Sequence, residues 1–234
     1  FAYLWATSQI LFGIHMSEFK TEKKRRLIKQ ISTAVIFPIV IVGGWFYPLL
    51  GYFIPICMIA GITIAFSRGR KWCDWYCPRG SFFDAAIMRI SPNKQIPAAF
   101  KELPTRIAML TVLMSVITVQ IIRFWPDPYK IGKAFVVLLT VTTGIALVLA
   151  IIYHPRAWCC FCPIGSISNW VGKGKRPVKI DSGLCNECKL CGKVCPIQVL
   201  PYKYKDKSVK NVMDGDCLKC GLCTVACPQK ALKL

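Results

Sequence analysis

The sequence contains few histidines and few acidic residues. Its 234 residues include 2 histidines, and 11 Asp and Glu stand against 31 Lys and Arg, which gives a net charge of +20. A b-type haem inside a helical bundle normally uses a pair of histidines from facing helices, whereas His15 and His154 both fall at the ends of expected helices. We therefore expect no haem. The scarcity of charge within the apolar segments also argues against ion pumping by this chain alone.

Several motifs of nucleotide and hydrolytic chemistry are missing. The chain has no Gly-x-Gly-x-x-Gly, Walker or nucleophile-elbow sequence, so these activities have no support. A basic chain can bind nucleic acid, but here all Lys and Arg except Arg123, Lys130 and Lys133 fall in segments expected on one side of a membrane. Enrichment of basic residues on the cytoplasmic side explains the charge without nucleic acid.

Long apolar runs dominate residues 31–153, and 54% of the chain is hydrophobic. About 20 apolar residues cross a bilayer as a helix, and aromatic, proline-containing segments interrupt the runs as turns would. Pro38 and Pro55 are expected to kink their helices. The pattern predicts an α-helical membrane protein with four spans arranged as two repeated hairpins, at residues 27–46, 49–66, 106–124 and 134–153.

The composition divides the chain into four parts. Residues 1–26 contain an apolar segment, interpreted as interfacial or as the end of a longer helix, and a basic run. Residues 27–171 form the expected membrane domain, and residues 172–180 form a basic, glycine-containing linker. Residues 181–234 are polar, lysine-rich and cysteine-rich, which predicts a separate small domain.

One sequence pattern occurs twice, once after each predicted hairpin. Arg-x-Trp-Cys, a short gap and Cys-Pro-x-Gly-Ser stand at residues 70–81 and again at residues 156–166. Each repeat contains an even number of spans, so both cysteine motifs are expected on the same face of the membrane. Parallel repeats of this kind are related by a pseudo-twofold axis along the membrane normal.

Fourteen cysteines are present, and their spacing is that of metal ligands. A disulfide scaffold is small and lacks long apolar spans, and a zinc ribbon uses separated pairs of cysteines instead of two tight runs of four. Two runs of Cys-x2-Cys-x2-Cys-x3-Cys-Pro predict an α+β, bacterial-type 2[4Fe–4S] ferredoxin-like domain, in which the fourth cysteine of each run binds the other cluster. The expected ligands are Cys185, Cys188, Cys191 and Cys227 for one cluster, and Cys217, Cys220, Cys223 and Cys195 for the other.

The cysteines of the repeated motif leave more than one interpretation open. Four thiolates meeting at the pseudo-twofold axis would hold a third iron–sulfur centre, with Cys160 as an alternative to Cys159 because the second motif is one residue shorter. The other interpretations are reduced thiols, reversible redox pairs or separate structural sites. Cys57 lies inside a span and is interpreted as a small core residue. The predicted third set is Cys73, Cys77, Cys159 and Cys162.

These motifs together resemble the NapH family of polytopic iron–sulfur proteins, the membrane quinol dehydrogenase subunits of periplasmic nitrate reduction. Residues 20–234 are also similar to parts of NosR-type and FixG/RdxA-type membrane proteins. The resemblance implies electron exchange between membrane quinone and a redox partner protein or multi-subunit complex. It also implies a multi-pass protein of the prokaryotic cytoplasmic membrane, in contact with lipid, with both cysteine motifs and the ferredoxin domain on the cytoplasmic side.

Other functions remain open at this point. An iron–sulfur protein that assists metal-centre maturation of another enzyme is one alternative, and a membrane anchor in a larger energy-coupling complex is another. Whether the chain acts as an enzyme in its own right or as the electron-transfer subunit of a quinol dehydrogenase is also undecided. Gln120 and Arg123 are candidate quinone contacts because polar residues are costly within spans, although an interfacial anchor is the alternative. His154, beside the second motif, is interpreted as an interfacial residue.

Overall fold

The fold is known from a computed structural model, which describes residues 2–205 and 211–234, with side chains from Ser17 onward. The interfacial role predicted for Phe1–His15 rests on side chains outside this described part. Ten α-helices occur in the described residues: α1 (Ala2–Ala34), α2 (Ile36–Phe46), α3 (Phe53–Arg68), α4 (Lys71–Trp75), α5 (Pro78–Phe82), α6 (Leu103–Phe124), α7 (Pro128–Ile152), α8 (Pro163–Gly172), α9 (Leu190–Lys193) and α10 (Leu222–Val225).

Four helical segments are long and apolar enough to cross a membrane, which confirms the predicted number. Most residues in their most apolar stretches are not buried, and the stretch in the third segment contains no buried residue. Exposed apolar surface on this scale is unfavourable in water and suits a lipid environment. The segments are Ser17–Phe46, Pro48–Arg68, Leu103–Phe124 and Pro128–Ile152.

In each of the first two apolar segments, the α-helix is interrupted about one turn before a proline. Helix α1 ends at Ala34, four residues before Pro38, and a 3₁₀ turn over Pro48–Tyr52 precedes α3, which contains Pro55. A proline ring clashes with the carbonyl of the residue four positions earlier. The predicted disruption is therefore present, but it lies one turn upstream of each proline.

Two predicted boundaries in the helical part of the chain differ from the structure. Helix α1 continues through residues 26 and 27 without a break, so the boundary predicted there is not a structural one. Helix α7 begins at Pro128 instead of residue 134, because Asp127 caps it by accepting hydrogen bonds from the N–H groups of Tyr129 (3.0 Å) and Lys130 (3.3 Å). An acidic N-cap followed by proline at the first helical position is a strong start signal.

The C-terminal module contains a three-stranded antiparallel sheet. Strand β1 (Val178–Ile180) lies between β2 (Asn211–Val212) and β3 (Leu232–Lys233), with Val178 opposite Val212 and Ile180 opposite Leu232. The first strand falls within the predicted linker of residues 172–180, so the ferredoxin-like module begins earlier than the composition indicated. The inward-facing side chains of these strands are buried against the cysteine-containing loops.

Candidate metal centres

The second cysteine run lines one cavity in the C-terminal module. Cys217 and Cys220 line this cavity from the loop that leads into α10, and Cys223 lines it from α10 itself. Cys195 reaches it from the first run. Apolar residues of the sheet and loops close the remaining walls. The four cysteines that the sequence predicts as ligands of one cluster thus lie around one enclosed space.

Both cysteine runs use left-handed backbone at the same positions. Two and four residues after the first cysteine, Glu187 and Lys189 have φ of 55° and 62°, and Lys219 and Gly221 have φ of 54° and 79°. Left-handed residues placed in this way turn successive N–H groups towards a common side, where they favour a negatively charged group. The two runs therefore have the same local structure, formed twice.

Backbone N–H groups also point at the cysteine sulfurs. The N–H of Val199 donates to Cys195 Sγ at 3.3 Å, yet burial still raises the pKa of Cys195 to about 11. Cys191 is buried close enough to Cys188 and Cys185 to interact electrostatically with both. Cys227, the fourth predicted ligand of that set, packs against the same apolar cluster as Cys185.

Another cavity, named the third cysteine cavity or third cavity after the predicted third cysteine set, lies where the two sequence repeats meet. Cys73, Cys77, Cys159 and Cys162 all line it, and they come from equivalent places in the two repeats. Cys77 and Cys162 each precede a proline at the start of a short helix, α5 and α8 respectively. The structure thus brings the four membrane-side cysteines together around one space.

These sets differ from a single-ion site. Within the residues that the structure describes, no three His, Cys, Asp or Glu side chains converge on one metal-ion position. In an iron–sulfur cubane each thiolate binds a different iron atom, so its ligands surround the cluster instead of meeting at one point. Four thiols spread around one cavity are therefore a donor arrangement that fits a cluster better than a lone ion.

Two buried arginines join the repeats through the backbone of cysteines that line the third cavity. Arg70 of the first repeat donates to the carbonyl oxygen of Cys159 in the second at 2.5 Å. Arg156 of the second repeat donates to the carbonyl oxygen of Cys73 in the first at 2.7 Å. Both guanidinium groups are almost fully buried. Burial raises the pKa of Cys73 and Cys159, and the nearby arginines oppose this shift.

The glycine of each Cys-Pro-x-Gly-Ser motif makes room for these arginines. A Cβ on Gly80 would lie 2.9 Å from Arg156 Nη1, and a Cβ on Gly165 would lie 2.8 Å from Arg70 Nη2. Each Cβ would also press on the cysteine carbonyl that accepts from that arginine. Glycine is therefore required at both places by close packing against the other repeat.

Two carboxylates of the first repeat, Asp74 and Asp84, neutralise Arg156. Asp84 accepts from Arg156 Nε at 2.8 Å and Nη2 at 2.6 Å, and it also accepts from Arg26 (2.8 Å) and Gln30 (3.0 Å) of α1. Arg26 additionally pairs with buried Asp74. Burial alone would raise the pKa of Asp84, but Arg156 and Arg26 hold it below its usual range.

The second arginine site takes its carboxylate from the ferredoxin-like module. Asp216, the residue before Cys217, accepts from Arg70 (2.6 Å), from Arg106 at the start of α6 (2.6 Å) and from Asn169 of α8 (2.7 Å). Asn169 occupies the repeat position of Asp84, counted from the Cys-Pro-x-Gly-Ser motif. Where the first repeat supplies its own carboxylate, the second repeat has an amide, and Asp216 provides the negative charge.

Sequence reasoning missed most of this network. Arg70 and Arg156 were visible as part of the repeated pattern, but their partners were not identified. The repeat comparison could have been extended to Asp84 and Asn169, which stand three residues after the serine of each motif. Nothing in the linear sequence marks Asp216 as their counterpart.

Other predicted residues have separate surroundings. Cys160 is fully buried, and its Sγ lies 3.7 Å from the Arg156 carbonyl, outside the lining of the third cavity. His154 is buried instead of interfacial, and its Nδ1 accepts from the Arg156 N–H at 3.1 Å. Burial lowers the pKa of His154 to about 4. Cys57 is half-buried on α3, where it lines an apolar cavity between the helices.

The two candidate quinone contacts do not share a site. Gln120 lines an apolar cleft of about 590 Å³ between α6 and α7, and its buried Oε1 has no hydrogen-bond partner among the described residues. Arg123 is not part of that lining, and its guanidinium lies 5.8 Å from the ring centre of Phe124. An interfacial position at the helix end fits Arg123.

Comparison with known families places iron–sulfur binding domains in this chain. A model of the 4Fe-4S binding domain matches twice, at residues 50–97 and 134–181, and each match contains one membrane-side cysteine pair. A model of the 4Fe-4S dicluster domain matches residues 184–232. The chain is therefore an iron–sulfur protein with two types of 4Fe-4S binding domain, and such domains imply electron transfer.

Curated relatives are distant. The uncharacterized protein MJ0749 of Methanocaldococcus jannaschii is 26% identical over 193 residues, covering 75% of this chain and 76% of the relative. The uncharacterized protein MJ0750 of the same organism is 24% identical over 156 residues, covering 61% of this chain and 65% of the relative, which is less than two thirds of its length. No solved structure matches the chain.

Proposed function

We propose that this protein is a membrane-bound electron-transfer subunit that exchanges electrons between membrane quinone and a redox partner protein. One quinol and its quinone differ by two electrons and two protons. Each exchange is therefore balanced by two one-electron exchanges with the partner and by exchange of the two protons with water. The resemblance of the cysteine motifs to those of NapH-type quinol dehydrogenase subunits supports this assignment. The observation that carries it is the cavity lined by Cys73, Cys77, Cys159 and Cys162, which adjoins both the apolar helices and the ferredoxin-like module.

In this proposal the protein holds three iron–sulfur centres, which supply one-electron transfer when bound. The repeat cysteines hold one centre, and the two ferredoxin runs hold the other two in the crossed arrangement predicted above. The residues around the third centre have defined tasks. Arg70 and Arg156 fix the cysteine loops and offset thiolate charge, and Phe83 and Trp158 help to exclude water from the cavity.

The four apolar segments are proposed to cross the cytoplasmic membrane as two hairpins. The basic residues then lie on the cytoplasmic side together with the cysteine motifs and the ferredoxin-like module. The buried contacts of Asp216 with Arg70 and Arg106 support a position of this module directly against the cytoplasmic ends of the helices. Labelling of intact cells with a membrane-impermeant thiol reagent tests the orientation. The new cysteine should react in Tyr129→Cys, at an exposed position at the proposed outer end of α7, but not in Lys179→Cys, at an exposed position of the ferredoxin-like module.

Iron analysis tests the three-centre proposal. Anaerobically purified protein should contain about 12 iron per chain with three [4Fe–4S] clusters, and about 8 if the ferredoxin-like module alone is loaded. Cys73→Ser should lower the count by about 4 and remove one paramagnetic signal in a redox titration. A fully loaded wild-type protein with about 8 iron, or a Cys73→Ser protein with an unchanged count, would contradict the proposed third centre.

A further inference from the structure

An apolar cavity of about 140 Å³ lies between the helices, directly beside the third cysteine cavity. Its walls come from α2, α3, α6 and α7, with Val40, Leu113 and Leu138 among the lining residues. Cys77 and Cys162 line this cavity and also the third cysteine cavity. The space is roughly ten times what a single water needs, so a ring-sized group can enter it.

Arg79 is the one charged residue in the described lining of this cavity. Its guanidinium lies over the Trp158 ring, 4.7 Å from the ring centre, and its Nη atoms contact the Thr142 backbone and hydroxyl. Its Nε is buried and has no hydrogen-bond partner among the described residues. A buried donor without a partner is costly in an apolar wall, and a bound acceptor would remove that cost.

The repeat comparison shows that Arg79 is not needed to form the cysteine motif. The second repeat has Ile164 at the same place in Cys-Pro-x-Gly-Ser, and Ile164 lines the same two cavities. The two repeats therefore build equivalent cysteine loops with an arginine in one and an apolar residue in the other. The asymmetry puts a single charged donor on one side of an otherwise apolar space.

We propose that this cavity binds the headgroup of an isoprenoid quinone, with Arg79 as the donor to one of its carbonyl oxygens. A quinone headgroup is a flat, largely apolar ring with two hydrogen-bond acceptors, which matches an apolar cavity containing one guanidinium. The isoprenoid tail then extends between the helices into the bilayer. This inference rests on the proposed function and adds the location of its quinone site, in place of the Gln120 cleft.

A photoreactive azidoquinone tests the site in anaerobically prepared holoprotein in lipid nanodiscs. Wild-type protein should be labelled on peptides that line the cavity, and Arg79→Ile, which installs the residue of the second repeat, should lower labelling at least tenfold. Leu113→Trp should block labelling by filling the cavity from α6. Ile122→Trp, on the exposed face of the same helix, is the matched control and should label normally.

Iron content is measured in every variant, so that loss of a cluster is not mistaken for loss of quinone. Normal labelling in both Arg79→Ile and Leu113→Trp, or labelling that maps to the cleft at Gln120, would show that the headgroup binds elsewhere while leaving quinone exchange intact. Absence of labelling in wild-type protein would contradict the quinone part of the proposed function itself. Labelling lost in Leu113→Trp at full iron content supports the cavity even if Arg79→Ile loses iron.

A second inference follows from the missing carboxylate at Asn169. We infer that Asp216 positions the loop of Cys217 against the third cysteine cavity by replacing the carboxylate that the second repeat lacks. Its side chain joins three separate parts of the membrane domain, through Arg70, Arg106 and Asn169. Arg70 in turn donates to the Cys159 carbonyl. The side chains of Asp216 and Arg70 therefore link the backbone of one predicted cluster loop to that of another.

Relocating the carboxylate distinguishes positioning from simple charge neutralisation. Asp216→Asn should leave iron near its wild-type amount in the ferredoxin-like module and raise amide hydrogen exchange in residues 213–222 about tenfold. The double variant Asn169→Asp with Asp216→Asn returns a carboxylate to Arg70 but not to the module. It should have higher thermal stability and more third-site iron than Asp216→Asn alone, whereas exchange in residues 213–222 should stay fast.

The magnetic interaction between clusters gives a second measurement. Electron paramagnetic resonance of the fully reduced protein should show weaker coupling in both variants than in wild type, since the loop is no longer held in one place. If the double variant recovers wild-type exchange and coupling, Asp216 serves only to neutralise Arg70 and the positioning role is wrong. If Asp216→Asn alone changes neither measurement, the inference is also wrong.

Discussion

Arg156 donates a hydrogen bond to the carbonyl oxygen of Cys73 at 2.7 Å, across the boundary between the two sequence repeats. Arg70 makes the equivalent bond to the carbonyl of Cys159 at 2.5 Å. Each repeat thus completes the cysteine loop of the other. Neither cysteine loop has its full set of contacts unless both repeats are folded and packed together. The third cavity therefore requires both repeats.

Removing Arg156 should strongly destabilise the fold. The Arg156→Met variant leaves Asp84 and Asp74 buried with Arg26 as their one ionic partner in the described part of the chain. Loss of one partner from a buried pair costs about 3–5 kcal/mol, because the remaining charge is left uncompensated. We expect a loss of this size in the free energy of unfolding, measured by denaturant unfolding of anaerobic protein in detergent.

The matched control removes the carboxylate as well. Asp84→Asn combined with Arg156→Met should cost less than the sum of the single variants, since the two residues interact directly. Arg25→Met on α1 is a second control, because Arg25 is exposed and its one ion pair among the described residues is with Glu22 at 3.5 Å. Additive costs for Asp84 and Arg156 would show that the network is not energetically coupled.

Alanine at Gly80 or Gly165 should displace an arginine from the repeat interface. The new Cβ would lie 2.9 Å from Arg156 Nη1 in the first case and 2.8 Å from Arg70 Nη2 in the second. We expect both variants to lose about 4 iron per chain while the ferredoxin-like module keeps its clusters. Gly144→Ala is the control, because nothing lies within 4 Å of its added Cβ. Equal iron in all three variants would contradict the packing argument.

The number of apolar helices could be predicted because each needs only a long apolar run, and that information is local. The predicted ends of these helices are less accurate where a capping residue sets the first helical position. Asp127 and Pro128 together start α7 six residues before the predicted position, and the aromatic, proline-containing segment had been interpreted wholly as a turn. The break after Ala34 reflects a clash with Pro38 that acts one turn upstream.

The candidate site also combines local features that the sequence predicts with long-range contacts that it does not predict. The cluster ligands could be predicted because their spacing is recognisable in short motifs. In the structure, two of the predicted sets of four cysteines each surround one cavity. The buried ion pairs are long-range, since Arg70 and Asp216 are 146 residues apart. The basic run was interpreted as a cytoplasmic flank, although Arg26 within it is buried. Charge in the sequence does not show which of several arginines will be buried.

Stability should depend on pH through His154. Burial lowers its pKa to about 4, and its neutral Nδ1 accepts the Arg156 N–H. The unfolded chain takes up this proton near pH 6.5 and the folded protein does not, so stability falls as pH decreases from about 6.5 towards 4. The melting temperature of wild type should therefore drop more than that of His154→Gln between pH 7.5 and 5.5. Parallel curves would contradict this assignment.

The adjacent Cys159 and Cys160 should behave differently when each is replaced by alanine. Cys159 lines the third cavity with Cys73, whereas Cys160 is buried outside it with its Sγ directed at the Arg156 carbonyl. Cys159→Ala should therefore lower iron from about 12 to about 8 per chain, because the cluster loses one of four thiolates. Cys160→Ala removes one buried sulfur and should leave iron at about 12. Iron analysis with electron paramagnetic resonance checks both, and loss of the cluster in Cys160→Ala alone would reassign the ligand to Cys160.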